Sequence, residues 1–379
     1  MELSEQPKPK KENILINFLK SALQQLMIPT LAVFVAVVIG GLVIWVAGGN
    51  PFDAYAGLIE GSFGSAKALS ETAVWATPYI FAGLAVALAF KGGLFNIGAE
   101  GQLAFGAVAA AWVGYELPDL LKISIPPFLH ITLTILAGVL AGAIWGGIPG
   151  YLKAKWGGHE VINTIMMNYI ALNLTSFLLN GSMKDPNPLN VSARTPLIAE
   201  SARIPVIFPG YRLHWGFVLA LVIAFAVWFL LWKTTQGFQI RTAGLNPDAA
   251  RYAGISVQRV IVLTMILSGA LAGLAGAIEV TGLNYRHELG FSTGYGFDAI
   301  AIALLGKTHP LGVVLAAILF GAMRNGATLM QFRTQIPVDV ISVIQALILL
   351  FVAADAIVRF IFRIRVKEER VVLTRGWGG

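Results

Sequence analysis

The sequence predicts an all-α polytopic membrane protein with about ten transmembrane helices, arranged as two inverted five-helix halves with broken helices near the midplane. Three observations predict this class. Apolar residues make up 56% of the 379 positions and charged residues only 12%, with a mean hydropathy of +0.73. So little charge cannot cover a soluble protein of this length. Several apolar runs reach the roughly 20 residues needed to cross a hydrocarbon core of about 30 Å. Most of the 27 Lys and Arg residues fall in alternate segments between those runs, the pattern that basic residues follow on the cytoplasmic side.

Taken in order, residues 1–27 form a hydrophilic cytoplasmic tail with Lys8, Lys10, Lys11 and Lys20. Within it, Asn13 to Met27 has the apolar spacing of a helix lying along the interface. The apolar run 28–49 is too long for the core of a cleaved signal and reads as a retained first span. Further spans are predicted at 72–90, 98–115, 128–150, 161–181, 214–232, 260–282, 294–306, 310–330 and 337–358. The membrane part is therefore 28–358. The basic tail 359–379, with Arg359, Arg363, Arg365, Lys367 and Arg370, is expected to be cytoplasmic like the N-terminus.

The third and eighth spans are short. Dropping the eighth alone puts the basic tail outside, and dropping the third alone flips every later loop. Both are therefore expected to cross or to form broken pairs with their neighbours; eight or nine spans result if one segment is re-entrant. Five spans per half reverse the orientation of the second half. The third and eighth then correspond, each glycine-interrupted and each carrying a polar residue beside a phenylalanine: Asn96 after Phe95, Asp298 after Phe297. Short interrupted segments at matching positions of two halves point to a transport site near the midplane.

Four stretches carry the candidate chemistry. KGGLFNIGAEGQLAFGA (91–107) places Asn96, Glu100 and Gln102 among glycines between two oily segments. A carboxylate there must be paired, lie at an interface or face a cavity. The stretch reads either as a cytoplasmic hairpin with Glu100 in a first helical turn, or as a broken helix lining a path. HEVINTIMMNYIALN (159–173) adds Asn163, Met166, Asn168 and Tyr169. Its amides either join helices or bind a neutral polar solute against an adaptable methionine wall. The external loop 182–213, rich in proline, reads as a polar connection or as a docking surface. The cytoplasmic segment RTAGLNPDAARYAGISVQR (241–259) has a helix start at Pro247 and Asp248, and small residues Ala249, Ala250, Ala253 and Gly254 that another protein's groove could approach closely.

Other chemistries find little support. Without Cys there is no disulfide or thiolate site. The histidines His130, His159, His214, His287 and His309 have no ligand spacing for a metal. AIALLGKT (301–308) mimics the end of a phosphate-binding loop, but its first glycine is Ala301 and no strand precedes it. No catalytic triad or paired carboxylates stand on a soluble domain. The net charge of +7 is accounted for by cytoplasmic loops rather than by nucleic acid.

Gly244 to Ile255 (GLNPDAARYAGI) resembles the coupling-helix motif of bacterial ABC importer permeases in the branched-chain amino acid, ribose and nucleoside permease family. FKGGLFNIGAEGQ (90–102) with HEVINTIMMNYI (159–170) is similar, more narrowly, to the nucleoside-uptake branch. The resemblance runs from about Phe52 to Val358. It implies no catalytic residue and no cofactor on this chain, with ATP and magnesium bound by a cytoplasmic ATPase partner. It further implies a second permease subunit, of which this chain looks like the longer kind, and an extracellular lipoprotein that delivers the solute, all at the bacterial cytoplasmic membrane. Gly244, Asn246, Pro247, Ala249, Ala250, Gly254 and Ile255 would couple to the ATPase. A sugar or amino-acid solute, and an ion-coupled carrier working alone, remain the competing expectations.

Overall fold

The computed structural model describes residues 12–187, 192–292 and 294–354. The elements are α1 (Glu12–Val46), α2 (Pro51–Phe63), α3 (Ala66–Lys91), α4 (Ala99–Leu121), α5 (Pro127–Trp156), α6 (Glu160–Asn180), α7 (Gly216–Lys233), α8 (Thr235–Leu245), α9 (Pro247–Tyr252), α10 (Val257–Glu279), α11 (Tyr295–Leu305), α12 (Pro310–Thr334) and α13 (Asp339–Ala353). A 3-10 turn (Glu200–Ala202) lies in the loop between α6 and α7, and a π-helical turn (Val280–Asn284) prolongs α10. Among the described residues, extended pairing is limited to two isolated bridges.

Seven described helices are long and apolar enough to cross a membrane: Pro29–Val46 within α1, then α3, α5, α6, α7, α10 with its π turn, and α12. The predicted third and eighth spans are α4 and α11. At 11 residues, α11 is about 16 Å long, half a bilayer core. α13 is also short. The predicted tail 359–379 and the last residues of the predicted tenth span lie outside the described residues.

α1 is one continuous helix of 35 residues, so the segment read as a separate interfacial helix forms its first turns, with Pro29 inside. α2 lies between the predicted first and second spans, where no helix is predicted. Asn50 caps it, accepting from the Phe52 N–H, and Pro51 occupies the first helical position, where its missing N–H costs nothing. Its Gly57 and Gly61 lie against Met330 and Gly326 of α12.

α3 is buried along almost its whole inner length, from Thr77 to Ala89, and α7, α10, α11 and α12 pack around it. On its other side α10 meets α5 along glycines. A Cβ at Gly273 would fall 2.3 Å from the Gly138 carbonyl oxygen, and one at Gly269 would fall 2.2 Å from that of Gly142. Only backbones without side chains fit so closely, which is how membrane helices gain contact where lipid offers no hydrophobic drive.

The described part of the loop 182–213 is fastened to the chain that follows α10. Thr195, Ile198 and Ile204 donate backbone N–H groups to His287, Tyr285 and Thr281. His214, just before α7, accepts from the Gly216 N–H, and burial, then the charge of Arg212, pushes its pKa down to about 4.

Candidate functional site

The polar stretch after α3 is a turn followed by extended chain. Gly93 adopts φ of +70°, and α4 begins only at Ala99. A chain that leaves its helix inside a membrane exposes backbone groups that need partners, and three side chains supply them. Asn96 accepts from the Gly98 N–H at 2.9 Å, and its amide donates to Gln102 at 2.9 Å and to Ser268 of α10 at 2.8 Å. Asn168 of α6 accepts from the Gly101 N–H and donates to the Ile97 carbonyl, both at 2.8 Å. Glu100 reaches the other broken segment: it accepts from the Gly296 N–H at 2.7 Å and from the Ser292 hydroxyl.

Glu100 therefore caps the first turn of α11 from another helix. A carboxylate at a helix N-terminus satisfies free N–H groups and meets the positive end of the dipole. The backbones touch here: a Cβ at Gly296 would lie 2.2 Å from the Glu100 nitrogen. Asn96, Glu100, Gln102 and Asn168 are all buried within the chain. Asp298, in the first turn of α11, accepts from the hydroxyl of Tyr79 in the middle of α3 at 2.8 Å.

The remaining predicted positions separate. On α6, Asn168 points inward, while Met166 and Tyr169 are exposed and Asn163 is half-buried. Phe297 is exposed on α11. The structure thus brings Asn96, Glu100, Gln102 and Asn168 into one internal set and leaves Met166, Tyr169 and Phe297 on the outside of the chain.

The segment 241–259 folds as expected from its start signals. Asn246 caps α9 by accepting from the N–H groups of Asp248 and Ala249, both at 3.0 Å. Asp248 pairs with Arg251 on the exposed side. Gly254 ends the helix with φ of +77°, and the Ile255 N–H returns to the Ala250 carbonyl. Pro247, Ala249 and Gly254 are exposed, whereas Ala250 and Ile255 are buried against their own chain. Leu245 and Tyr252 are the most exposed apolar residues of the segment.

Gly244 links this segment to the polar stretch. A Cβ there would lie 2.2 Å from the Lys91 carbonyl oxygen and 2.7 Å from the Gly93 nitrogen. Beside it, Lys91 and Arg241 sit over the Trp232 ring, which His309 also contacts. Burial, then the charge of Lys91, holds the His309 pKa below its ordinary value. The sequence reading missed Tyr79, Ser268, Ser292 and Gly296. Each looks like an ordinary residue of an apolar or glycine-rich run, and nothing in its own stretch announces a partner far along the chain.

Comparison with known proteins agrees with this architecture. Residues 68–353 match the family described as branched-chain amino acid transport system / permease component. The chain belongs to that family. Accordingly, it is an ABC transporter permease subunit, a transport component rather than an enzyme. It is 42% identical to the guanosine ABC transporter permease protein NupP of Bacillus subtilis, over 89% of this chain and 96% of that one. With the nucleoside ABC transporter permease protein NupB of Lactococcus lactis it shares 35%, over 92% and 95%. The glucose ABC transporter permease protein TsgB13 of Haloferax volcanii is 37% identical over 85% and 86%. A second guanosine permease of the same Bacillus, NupQ, is also similar, at 29% over 66% and 78%. No solved structure matches.

Proposed function

We propose that this family member is the nucleoside-carrying permease subunit of an ATP-driven importer. The observation that carries the reading is the similarity to guanosine and nucleoside permeases along nearly the whole of each chain, in a protein with the glycine-broken polar stretch at 91–107. The complex would contain a second permease, a cytoplasmic ATPase that binds ATP and magnesium, and an external lipoprotein that presents the solute. Two nucleoside-class permeases in one bacterium, NupP and NupQ, support the paired arrangement. The chain would sit in the bacterial cytoplasmic membrane with both termini inside, its ten helical segments forming two inverted halves.

In this reading the exposed residues Met166, Tyr169 and Phe297, with Asn163 and Asp298, face the solute. Asn96, Glu100, Gln102 and Asn168 hold the two broken segments together behind them. Gly244, Asn246, Pro247, Ala249, Ala250, Gly254 and Ile255 carry motion from the ATPase to the turn at Gly92 and Gly93. A tyrosine in the middle of an outward helix face is costly against lipid unless its hydroxyl finds a partner, which favours a wet path or a partner subunit at that face.

Deleting this subunit should abolish ATP-dependent uptake of labelled nucleosides; unchanged uptake in cells with no paralogue contradicts the reading. A sugar is the second reading, favoured by the glucose permease relative. Competition of uptake by unlabelled hexose or pentose, and not by nucleosides, would establish it.

A further inference from the structure

The middle of the bundle holds a cation that neither the broken stretch nor the coupling segment explains. Arg324 stands two residues past the centre of the 25-residue α12, about 3 Å from the helix midpoint. It is half-buried, and its guanidinium lies 6.0 Å from the centre of the Trp75 ring on α3. Among the described residues no hydrogen bond or ion pair engages it, although Asn325 beside it is tied to Gly61, Ala68 and Thr72, which fixes the rotation of α12.

One turn along α3 from Trp75 is Tyr79, also mid-helix, whose hydroxyl donates to one oxygen of Asp298. Among the described residues the other Asp298 oxygen accepts nothing. Arg324 is near enough for its charge to act on both Tyr79 and Asp298, yet no ion pair joins it to Asp298. A half-exposed arginine and a half-exposed aspartate at the midplane cannot face lipid. Charges so placed need partners, since burying either alone is costly. The side of the chain that carries Trp75, Asp298 and Arg324 is therefore a wet or ligand-filled side.

We propose that Trp75, Asp298 and Arg324 form a recognition subsite for a 6-oxopurine nucleoside at the midplane, with Tyr79 orienting the carboxylate. A 6-oxopurine presents acceptors O6 and N7 on one edge, which a guanidinium engages with paired N–H donors, and an N1–H donor beside them, which a carboxylate accepts. Adenine places an N–H donor and a bare N1 acceptor in those positions and so mismatches both groups. Trp75 offers a face on which a planar base can stack. The inference rests on the nucleoside reading and adds the base class.

The test is ATP-dependent uptake by the whole complex in proteoliposomes, with labelled guanosine, inosine, adenosine and uridine, for the unaltered chain and for Asp298→Asn, Arg324→Gln and Arg324→Lys. The unaltered complex should favour guanosine and inosine. Loss of one charge-assisted contact should raise the guanosine KM about tenfold or more and that of adenosine much less, with Arg324→Lys between. Copurification of the subunits and basal ATPase activity should persist, which separates loss of recognition from loss of assembly. Unchanged guanosine KM in the assembled variants, or an equal loss for all four nucleosides, overturns the subsite while leaving the nucleoside reading intact. Transport of no nucleoside by the unaltered complex overturns both.

Discussion

Glu100 shows how one buried carboxylate can be tolerated inside a membrane protein. Its oxygens take the Gly296 N–H and the Ser292 hydroxyl, so the charge lies at the positive end of α11 with hydrogen-bond donors around it. Replacing it with alanine leaves the buried Gly296 N–H without an acceptor, a loss of about 1–3 kcal/mol. Glu100→Ala should therefore lower the thermal unfolding temperature of the detergent-solubilised complex and reduce uptake. Glu100→Gln, which keeps an acceptor oxygen, should fall between it and the unaltered chain. Equal unfolding temperatures for all three would show that the cap contributes nothing. At this scale the sequence was legible for residue types and not for partners. Asn96 and Gln102 are six positions apart and their association is local, whereas Ser268 and Gly296 reach the same network from the distant half of the chain. Local pattern contains no trace of such pairings.

Between elements, the close approach of Gly244 to the Gly92–Gly93 turn is what joins the segment 241–259 to the broken stretch. A side chain cannot enter between two backbones at that distance, so Gly244→Val must push them apart. If this contact transmits the ATPase stroke, the assembled Gly244→Val complex should hydrolyse ATP yet import about two- to thirtyfold less solute, the range of coupling energies carried by such contacts. The comparison to make is solute imported per ATP hydrolysed, and an unchanged ratio argues that the contact is only packing.

Element boundaries were readable where capping signals were strong: Asn246 and Pro247 start α9 as their residue types require. α2 was hidden because Asp53, Glu60 and its glycines dilute the apolar signal, though Asn50 and Pro51 mark its start. The continuity of α1 through Pro29 was equally hidden, since proline reads as a break when no structure shows the helix passing through it.

For the whole molecule, composition alone identified a membrane protein, because charge is too scarce for any water-covered surface. The number of crossings was harder to read. Hydropathy finds helices that face lipid, whereas α4 and α11 are held by protein on several sides and owe their place to packing around α3 and to the Glu100 contact. A half-length helix such as α11 is held inside the bundle by this packing together with the cap that another helix supplies. The molecule accordingly reads as an α3-centred core that carries the broken segments, with the exposed segment 241–259 resting on the turn that leads to them.

ATP-dependent uptake of labelled guanosine in proteoliposomes, with the ATPase partner and the second permease present and this chain either included or omitted, tests the central claim most directly. Uptake should require this chain, ATP and the ATPase together, and this chain alone should carry none under an ion gradient. Uptake that proceeds without this chain, or an ion-driven flux through the purified chain by itself, would contradict it.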